Sequence, residues 1–274
     1  MLGRDLVGWL GSRHRVLPLT HREADVTDSG SVDQALDRAE PDVVVHCAAY
    51  TAVDDCELRP ELAWKVNAEG TRNVARACQK RRVPILYLST DYVFDGEKPE
   101  PYVETDRPNP LNVYGQTKLV GEEGVTELAA RFWIVRVSWL FGPWGKNFVR
   151  AILDQARSGQ PLRVVDDQIG APTYTMHLAE KIEQIFTRAE GGIYHVTNQG
   201  YCSWFEFAEA VLRQAGLDQV TITPIPSSAL KRLARRPRNS RLANARLESS
   251  GLGRLPPWRE GVYSYLSREM GSKL

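Results

Sequence analysis

A tyrosine and a lysine four positions apart form the first pair of side chains in this sequence that could support catalysis. They are Tyr114 and Lys118, in the stretch PLNVYGQTKLVGEE. On a helix, residues at this spacing share one face, so the ammonium can approach the phenol oxygen. A nearby cation favours the phenolate and brings a group with an ordinary pKa of about 10 closer to neutrality. The pair is a candidate for proton transfer, and a surface tyrosine and lysine are the alternative interpretation.

Two apolar runs end in residues that suit a ligand crevice. LYLSTDYVFDG places Ser89, Thr90 and Asp91 at the end of one run, and HCAAYTAVDD places the small residues Ala48 and Ala49 at the end of an earlier one. In an open α/β sheet, ligands bind outside the carboxyl ends of the strands. We therefore expect both runs to face one crevice, with a turn-closing hydroxyl as the alternative role for Thr90.

The elements that would position these residues follow a strand and helix alternation. HRVLPL, PDVVVHCAA, VPILYLST and FWIVRVSWLF are apolar runs of strand length, typical of a buried parallel sheet. Between the second and third, residues 60–82 carry a helical repeat that begins at Pro60 and includes Leu62, Val66, Val74 and Cys78. This alternation predicts an α/β fold, a Rossmann-like doubly wound parallel sheet.

The rhythm changes near residue 145, and two parts are predicted. Residues 1–145 form the Rossmann-like nucleotide-binding domain, and residues 146–274 form mainly a smaller α/β substrate-binding domain, with some segments returning to the sheet. In the second part, Ser203 and Glu206 have the spacing of a helix capping box ahead of an apolar repeat.

Composition limits the classes of partner. The chain has 274 residues and a formal net charge of +1, which gives no overall electrostatic reason to expect nucleic acid or a membrane surface. Its four cysteines lack metal-ligand or disulfide spacing, so we predict a reduced, cytoplasmic protein without a metal. The basic stretch LKRLARRPRNSRL is a local exception.

Several blocks in order resemble one known family. They are PDVVVHCAAYTAVDDCE, VNAEGTRNVA, YLSTDYVFDG, PLNVYGQTKLVGE, RVSWLFG, NFV, DDQIGAPTYT, GIYHVTNQGYCSWFEFA and RPRNSRLANARL. Together they span nearly the whole chain, which resembles the extended short-chain dehydrogenase/reductases and, more closely, the dTDP-4-dehydrorhamnose reductases. Each block alone is weakly specific, but the combination is highly specific.

The resemblance implies roles for the residues already singled out. Tyr114 matches the proton donor to the C4 oxygen of the sugar. Lys118 matches the residue that lowers the pKa of that tyrosine and holds the nicotinamide ribose. Thr90 matches the third catalytic residue. Asp91 and Trp139 match residues that contact the nucleotide sugar. The implied reaction is hydride transfer from NADPH to dTDP-4-dehydro-β-L-rhamnose, which gives dTDP-L-rhamnose, a precursor of cell-surface polysaccharide.

The resemblance also implies a cofactor surface. Its members in this chain would be Gly3, Asp25, Val26, Ala48, Ala49, Tyr50 and Thr51, together with Tyr114 and Lys118. Thr20-His21-Arg22 directly follows the predicted strand HRVLPL. None of these three residues is an acidic residue that would bind a ribose 2′-hydroxyl. This favours NADPH as the cofactor, with NADH as the alternative. Asn67 is expected to brace the strand ends.

Other functions stay open at this point. A different nucleotide-sugar reductase or epimerase of the same family is one alternative, and a non-catalytic regulatory subunit with this fold is another. Arg236, Arg238 and Arg241 are candidates for contact with a substrate diphosphate, with ordinary surface arginines as the alternative. The protein is expected to be a monomer or a homodimer.

The first residues pose a separate question. The resemblance identifies Gly3 as the third glycine of a cofactor-binding turn, so the first strand and two glycines expected before it are missing from the sequence. In a doubly wound sheet that strand is central. Either the reading frame starts upstream of Met1, or the protein is a true short form. For this chain we expect weak dinucleotide binding.

Overall fold

The computed structural model describes residues 1–271 and the side chains of residues 1–268. The α-helices are α1 Leu2–Leu10, α2 Ser29–Ala39, α3 Val53–Leu58, α4 Pro60–Ala63, α5 Gly70–Arg81, α6 Val113–Leu128, α7 Phe148–Arg157, α8 Thr175–Arg188, α9 Trp204–Gln214, α10 Ala245–Ser249 and α11 Trp258–Gly271. The strands are β1 Val44–His46, β2 Ile85–Thr90, β3 Phe132–Val137, β4 Leu140–Phe141, β5 Leu162–Val165, β6 Ile169–Gly170, β7 Thr173–Tyr174, β8 Gly192–His195, β9 Cys202–Ser203 and β10 Ile222–Ile225. Within residues 1–271, no helix combines the length and apolar character needed to cross a bilayer.

A parallel sheet of four strands in the order β1-β2-β3-β8 forms the centre of the first half. Alternate residues of β2 pack on opposite faces: Leu86 and Leu88 contact the core beneath α1 and α8, whereas Ile85 and Tyr87 contact the core beneath α2 and α5. This alternation follows from the period of two in an extended strand, and helices on both faces bury it completely. The predicted doubly wound α/β fold is confirmed.

The predicted strand in HRVLPL is wrong. This run, residues 14–19, forms no strand, although the other three runs contain β1, β2 and β3. A strand needs a hydrogen-bonding neighbour, and no other strand of the described chain pairs with the free edge of β1. Leu17 and Leu19 are exposed, and Pro18 has no backbone N–H to donate. Apolar composition alone therefore did not produce a strand here.

The predicted helix after Pro60 forms as one continuous helical segment with an unusual middle. Pro60 occupies the first turn of α4, and a π-helix at Trp64–Glu69 connects α4 to α5. Val74 and Cys78 are buried as the repeat predicted, while Leu62 is exposed. The π-helix contains Asn67, which is fully buried, and single π turns often occur at functional sites.

The second half builds its own core and also completes the sheet. Its core packs α7, α9 and α11 around β5, and the capping box of α9 is formed by Ser203 and Glu206 as predicted. Strand β8, at residues 192–195, pairs with β3 in the main sheet. Helix α8 packs against α1 in the core of the first half. The proposed boundary between 145 and 146 stays a prediction. Segments on its C-terminal side pack with the main sheet.

Helix α6 lies close to the sheet because it has glycine where it crosses β2. A Cβ built on Gly121 would contact the phenol oxygen of Tyr87 and lie 2.9 Å from the carbonyl oxygen of Asn67. Such contacts force the helix away from its neighbours. The small residue at 121 therefore sets how near the helix can approach the strand ends.

We predict that Gly121→Ala lowers the free energy of unfolding by about 1–3 kcal/mol, since the added methyl group overpacks this contact. The matched control is Gly8→Ala, also within a helix but with open space around its Cβ, which should raise stability by up to about 1 kcal/mol. Urea denaturation of both variants measures the difference. Equal stability of the two variants would contradict close packing at Gly121.

Candidate active site

The carboxyl end of β2 brings together three of the predicted site residues. Thr90 ends the strand, and its hydroxyl donates to Oδ1 of Asp91 at 3.0 Å and accepts from the backbone N–H of Tyr92 at 3.2 Å. Tyr114, near the start of α6, lies close enough to Thr90 for the threonine side chain to oppose the rise in the pKa of the Tyr114 phenol. Thr90 and Asp91 are buried, and Tyr114 is half-buried with the ring of Tyr92 packed edge-on against it at 5.8 Å.

Helix α6 begins where it does because its first turn is capped. The side chain of Asn112 accepts from the N–H of Gly115 at 2.8 Å, which fixes the turn that carries Tyr114. The amide of Asn112 also donates to the carbonyl oxygen of Arg235 at 2.7 Å. The start of the helix is therefore held by the second half of the chain as well.

The ammonium of Lys118 lies beneath this helix and is almost fully buried. Its Nζ donates to the carbonyl oxygen of Leu88 at 2.6 Å and sits 4.1 Å from the ring centre of Tyr87. Burial lowers the pKa of Lys118 to about 7, and the charge of Glu122 opposes that fall. Burial raises the pKa of Tyr114, and the main influences that oppose or add to it are Thr90, Asp91 and Tyr92 rather than Lys118. The expected lowering of the tyrosine pKa by lysine is absent from this arrangement.

Asp91 combines burial with a free oxygen. Burial raises the pKa of this carboxyl to about 7, and hydrogen bonds from Ser240 and Thr90 work in the opposite direction. Oδ2 of Asp91 has no hydrogen-bond partner among residues 1–268. A buried unpaired carboxyl oxygen is costly, so this atom is suited to meet a ligand hydroxyl.

The predicted cofactor turn lies beside β1. Tyr50 is held by Asn67, whose Oδ1 accepts from the backbone N–H of Tyr50 at 2.7 Å and whose Nδ2 donates to its carbonyl oxygen at 3.1 Å and to Thr117 at 3.1 Å. Asn67 therefore braces this turn against α6, as expected. Ala48 and Thr51 are exposed, and Ala49 is half-buried.

Gly3 and the Asp25-Val26 pair lie on either side of the sheet edge. A Cβ built on Gly3 would meet Cβ of Cys47 at 4.0 Å, so the first turn of α1 lies directly against the end of β1. Asp25 accepts from the backbone and hydroxyl of Thr27, which lowers its pKa, and it is half-buried. Val26 accepts through its carbonyl oxygen from Asn73 at 3.0 Å.

Trp139 is held more firmly than its sequence context indicates. Its indole stacks on Trp204 with ring centres 3.5 Å apart and planes 7° from parallel. A Cβ on Gly170 would overlap the indole and lie 2.6 Å from its Nε1, so only glycine fits there. Trp139 also has a φ of 47°, which a bulky residue adopts only where its surroundings impose it. The sequence predicted Trp139 as a contact residue but gave no sign of this clamp.

Of the three arginines proposed for a diphosphate, Arg236 and Arg241 are half-buried and Arg238 is exposed. Arg236 forms a two-pronged ion pair with Asp54, with Nη1–Oδ1 at 3.0 Å and Nη2–Oδ2 at 2.8 Å. Arg241 donates to Oδ1 of Asn239 at 2.8 Å and packs on the ring of Tyr201. Arg236 therefore fastens the second half to α3 in this structure.

A buried charge network was missed by the sequence reading. Glu122 of α6 pairs with Arg136 of β3, and both side chains are buried. Two signals were available: Glu122 lies four residues after Lys118, and Arg136 interrupts an otherwise apolar strand. Among residues 1–268, no group of three or more His, Cys, Asp and Glu side chains could hold a metal ion.

The doubly wound sheet and the Thr90, Tyr114 and Lys118 constellation at its carboxyl edge define the extended short-chain dehydrogenase/reductase class. More specifically, the chain belongs to the RmlD substrate binding domain family, whose model matches residues 1–270.

Individual relatives agree with this assignment over most of their length. The chain is 42% identical over 269 residues to a dTDP-4-dehydrorhamnose reductase of Streptomyces griseus, covering 96% of this chain and 88% of the relative. It is 37% identical over 260 residues to a dTDP-4-keto-6-deoxy-D-glucose reductase of Streptomyces niveus, covering 94% and 90%. The crystal structure of dTDP-4-dehydrorhamnose reductase from Bacillus anthracis in complex with NADP superposes with a TM-score of 0.95 at 38% identity, covering 97% of this chain and 95% of that one.

We predict that Asp54→Asn lowers the free energy of unfolding by about 1–2 kcal/mol at pH 7, because it leaves Arg236 without its partner charge. The hydrogen bond from Arg236 holds the pKa of Asp54 well below its ordinary value. The stabilisation is therefore present above a pH of about 4 and is lost as pH falls through the folded pKa.

Denaturation curves at several pH values measure this difference. Asp55→Asn is the control, since its partner Arg59 is highly exposed and such surface pairs contribute little. A loss in Asp54→Asn that does not shrink in acid would contradict the assigned ion pair.

Proposed function

We propose that this protein reduces the C4 ketone of dTDP-4-dehydro-β-L-rhamnose to dTDP-L-rhamnose with NADPH as hydride donor. The observation that carries the proposal is the meeting of Thr90, Asp91 and Tyr114 at one strand end, in a chain that is similar to enzymes with this activity over nearly its whole length. The product belongs to dTDP-rhamnose biosynthesis.

Tyr114 and Thr90 act on the carbonyl oxygen. As hydride reaches C4, negative charge develops on that oxygen, and donors directed at it stabilise the transition state more than the ground state. Tyr114 carries its proton near neutral pH because burial raises its pKa, so it is ready to donate. Thr90 is next to it and supplies a second hydroxyl.

Lys118 is the buried amino group of the site, and its lowered pKa lets it lose its proton near neutrality. It also offers hydrogens to ribose hydroxyls. Because Lys118 is held by the Leu88 carbonyl oxygen, its position is set by the strand as well as by its own helix.

The residues beside β1 fit a dinucleotide. Gly3 and the small residues Ala48 and Ala49 leave the backbone open where α1 meets β1, and a helix N-terminus suits a pyrophosphate. Thr51, Tyr50, Asp25 and Val26 complete this surface toward the ribose and adenine. When bound, the cofactor supplies the hydride.

Asp91 and Trp139 are assigned to the substrate. The unpaired Oδ2 of Asp91 suits a sugar hydroxyl, and the clamped indole of Trp139 offers an apolar face of fixed orientation. The nucleotide part of the substrate would be a dTDP group. A reductase for a different dTDP-keto-sugar is the second candidate, since the relative from Streptomyces niveus carries such a name.

We further assign the protein to the cytoplasm, as a monomer or homodimer that acts on a free nucleotide sugar and does not bind nucleic acid. The near-neutral net charge supports the last point alone, because it gives no overall electrostatic attraction to nucleic acid.

We predict that Tyr114→Phe lowers kcat by about 10²–10⁴-fold, because it removes the proton donor without changing the ring. Loss of NADPH absorbance with dTDP-4-dehydrorhamnose as substrate measures the rate. Tyr92→Phe is the matched control, since it removes a neighbouring phenol oxygen that faces Arg236, and it should keep most of the activity. Wild-type turnover by Tyr114→Phe would remove Tyr114 from its assigned role.

We predict that Arg22→Gln reduces the preference for NADPH over NADH by about tenfold, because this exposed arginine is the proposed partner of the 2′-phosphate. The ratio of kcat/KM for the two cofactors is the measurement. Arg15→Gln, an exposed arginine nearby in sequence, should leave the ratio unchanged. An unchanged ratio in Arg22→Gln would exclude this residue as the selector.

A further inference from the structure

One row of side chains crosses the sheet immediately before the Thr90 strand end. Ser89 is in register with Arg136 of β3, and Arg136 is in register with His195 of β8. All three residues are buried. Glu122 of α6 lies against this row, so four polar side chains from four elements meet inside the core.

The carboxylate of Glu122 accepts three hydrogen bonds from side chains of this row. Oε1 accepts from the Ser89 hydroxyl at 2.5 Å and from Nε of Arg136 at 2.9 Å, and Oε2 accepts from Nη2 of Arg136 at 2.7 Å. A guanidinium bound by two parallel hydrogen bonds fixes both distance and orientation. Rotation or lifting of α6 would break this fork and leave two buried charges unpaired.

His195 continues the row toward the second half. Its Nδ1 lies 3.1 Å from the carbonyl oxygen of Tyr102 and 3.2 Å from that of Ala243. Carbonyl oxygens only accept, so Nδ1 carries the proton and Nε2 accepts from Nη1 of Arg136 at 3.4 Å. Burial and the charge of Arg136 lower the pKa of His195 to about 3, which keeps the ring neutral.

The same row also contains the acidic side chain that interacts with the Lys118 ammonium. The titratable groups that interact with this ammonium are His46, Cys47 and Glu122. Burial lowers the pKa of His46 to about 3 and raises that of Cys47 to about 12, so both are neutral. Burial also keeps Tyr87 and Tyr114 protonated. Among these groups, only Glu122 is a carboxylate, held as such by its ion pair with Arg136.

We propose that Glu122 and Arg136 are positioning residues for the reduction, which fix α6 over the strand ends and supply the counter-charge to the Lys118 ammonium. Tyr114, Lys118 and Glu122 are spaced by four residues each, so they share one face of α6. The inference rests on the proposed function for its kinetic effect, but the charge state of Lys118 can be followed without substrate.

The first test is Glu122→Gln, which keeps the shape of the side chain and removes its charge. We expect the alkaline limb of kcat/KM to move about one pH unit lower, because Lys118 loses its proton more readily. The ¹³Cε resonance of Lys118, assigned with Lys118→Met, should titrate at the same lower pH. Glu122→Asp keeps the charge and should restore the original limb. Glu123→Gln is the matched control, since Glu123 is the next residue but exposed.

The second test guards against loss of folding. Glu122→Gln leaves Arg136 buried and unpaired, whereas the double variant Glu122→Gln with Arg136→Met removes both charges and should recover stability. If the pair had only a structural role, the double variant would regain the wild-type pH profile and the wild-type Lys118 titration. We expect it to fold and yet keep the lowered limb.

The outcomes separate the two proposals. A lowered Lys118 titration in the folded double variant supports the positioning role, and an unchanged titration overturns it. If the wild-type protein does not turn over dTDP-4-dehydrorhamnose, the proposed function fails, while the NMR titration still decides the role of Glu122.

Discussion

The ion pair between Glu122 and Arg136 is the interaction on which the arrangement of the site depends. A charged pair is costly to bury, and it is retained only where its geometry satisfies both partners. Here it joins the helix that carries Tyr114 and Lys118 to the middle of the sheet. Because the pair has a fixed length, the helix cannot rise or turn without separating it. Glycine at 121 allows the close approach that this length demands.

The two halves of the chain meet around that helix and share its support. Asn112 binds the backbone of Arg235, and Arg236 pairs with Asp54 of α3. Strand β8 from the second half adds its edge to the main sheet and presents His195 to Arg136. The active-site edge is therefore a joint product of both halves, and a division of the chain into separate cofactor and substrate parts describes sequence order better than it describes packing.

Local pattern was sufficient for the elements that have packing partners among the described residues. Strands β1, β2 and β3, the helix after Pro60 and the capping box of α9 each follow from apolar period or capping chemistry, and the structure confirms them. The strand predicted for HRVLPL was wrong, because a strand needs a hydrogen-bonding neighbour and the run of residues does not show whether one is there.

The site showed the same limit. Tyr114, Lys118 and Thr90 could be proposed from spacing and strand ends, but the row from Ser89 to His195 depends on the register of three strands distant in sequence. The Trp139 clamp likewise joins residues from three separate segments. Nothing in the sequence around Trp139 predicts the positive φ of this residue.

The clamp on Trp139 has a consequence for how this surface can change over evolutionary time. The indole is pressed between Trp204 and the bare backbone of Gly170, so any side chain at 170 must displace it, and any smaller ring at 204 leaves it unsupported. A change at one of positions 139, 170 and 204 therefore requires a compensating change at another. Reshaping the wall that Trp139 forms would take several simultaneous substitutions, whereas a surrounding loop can change one residue at a time.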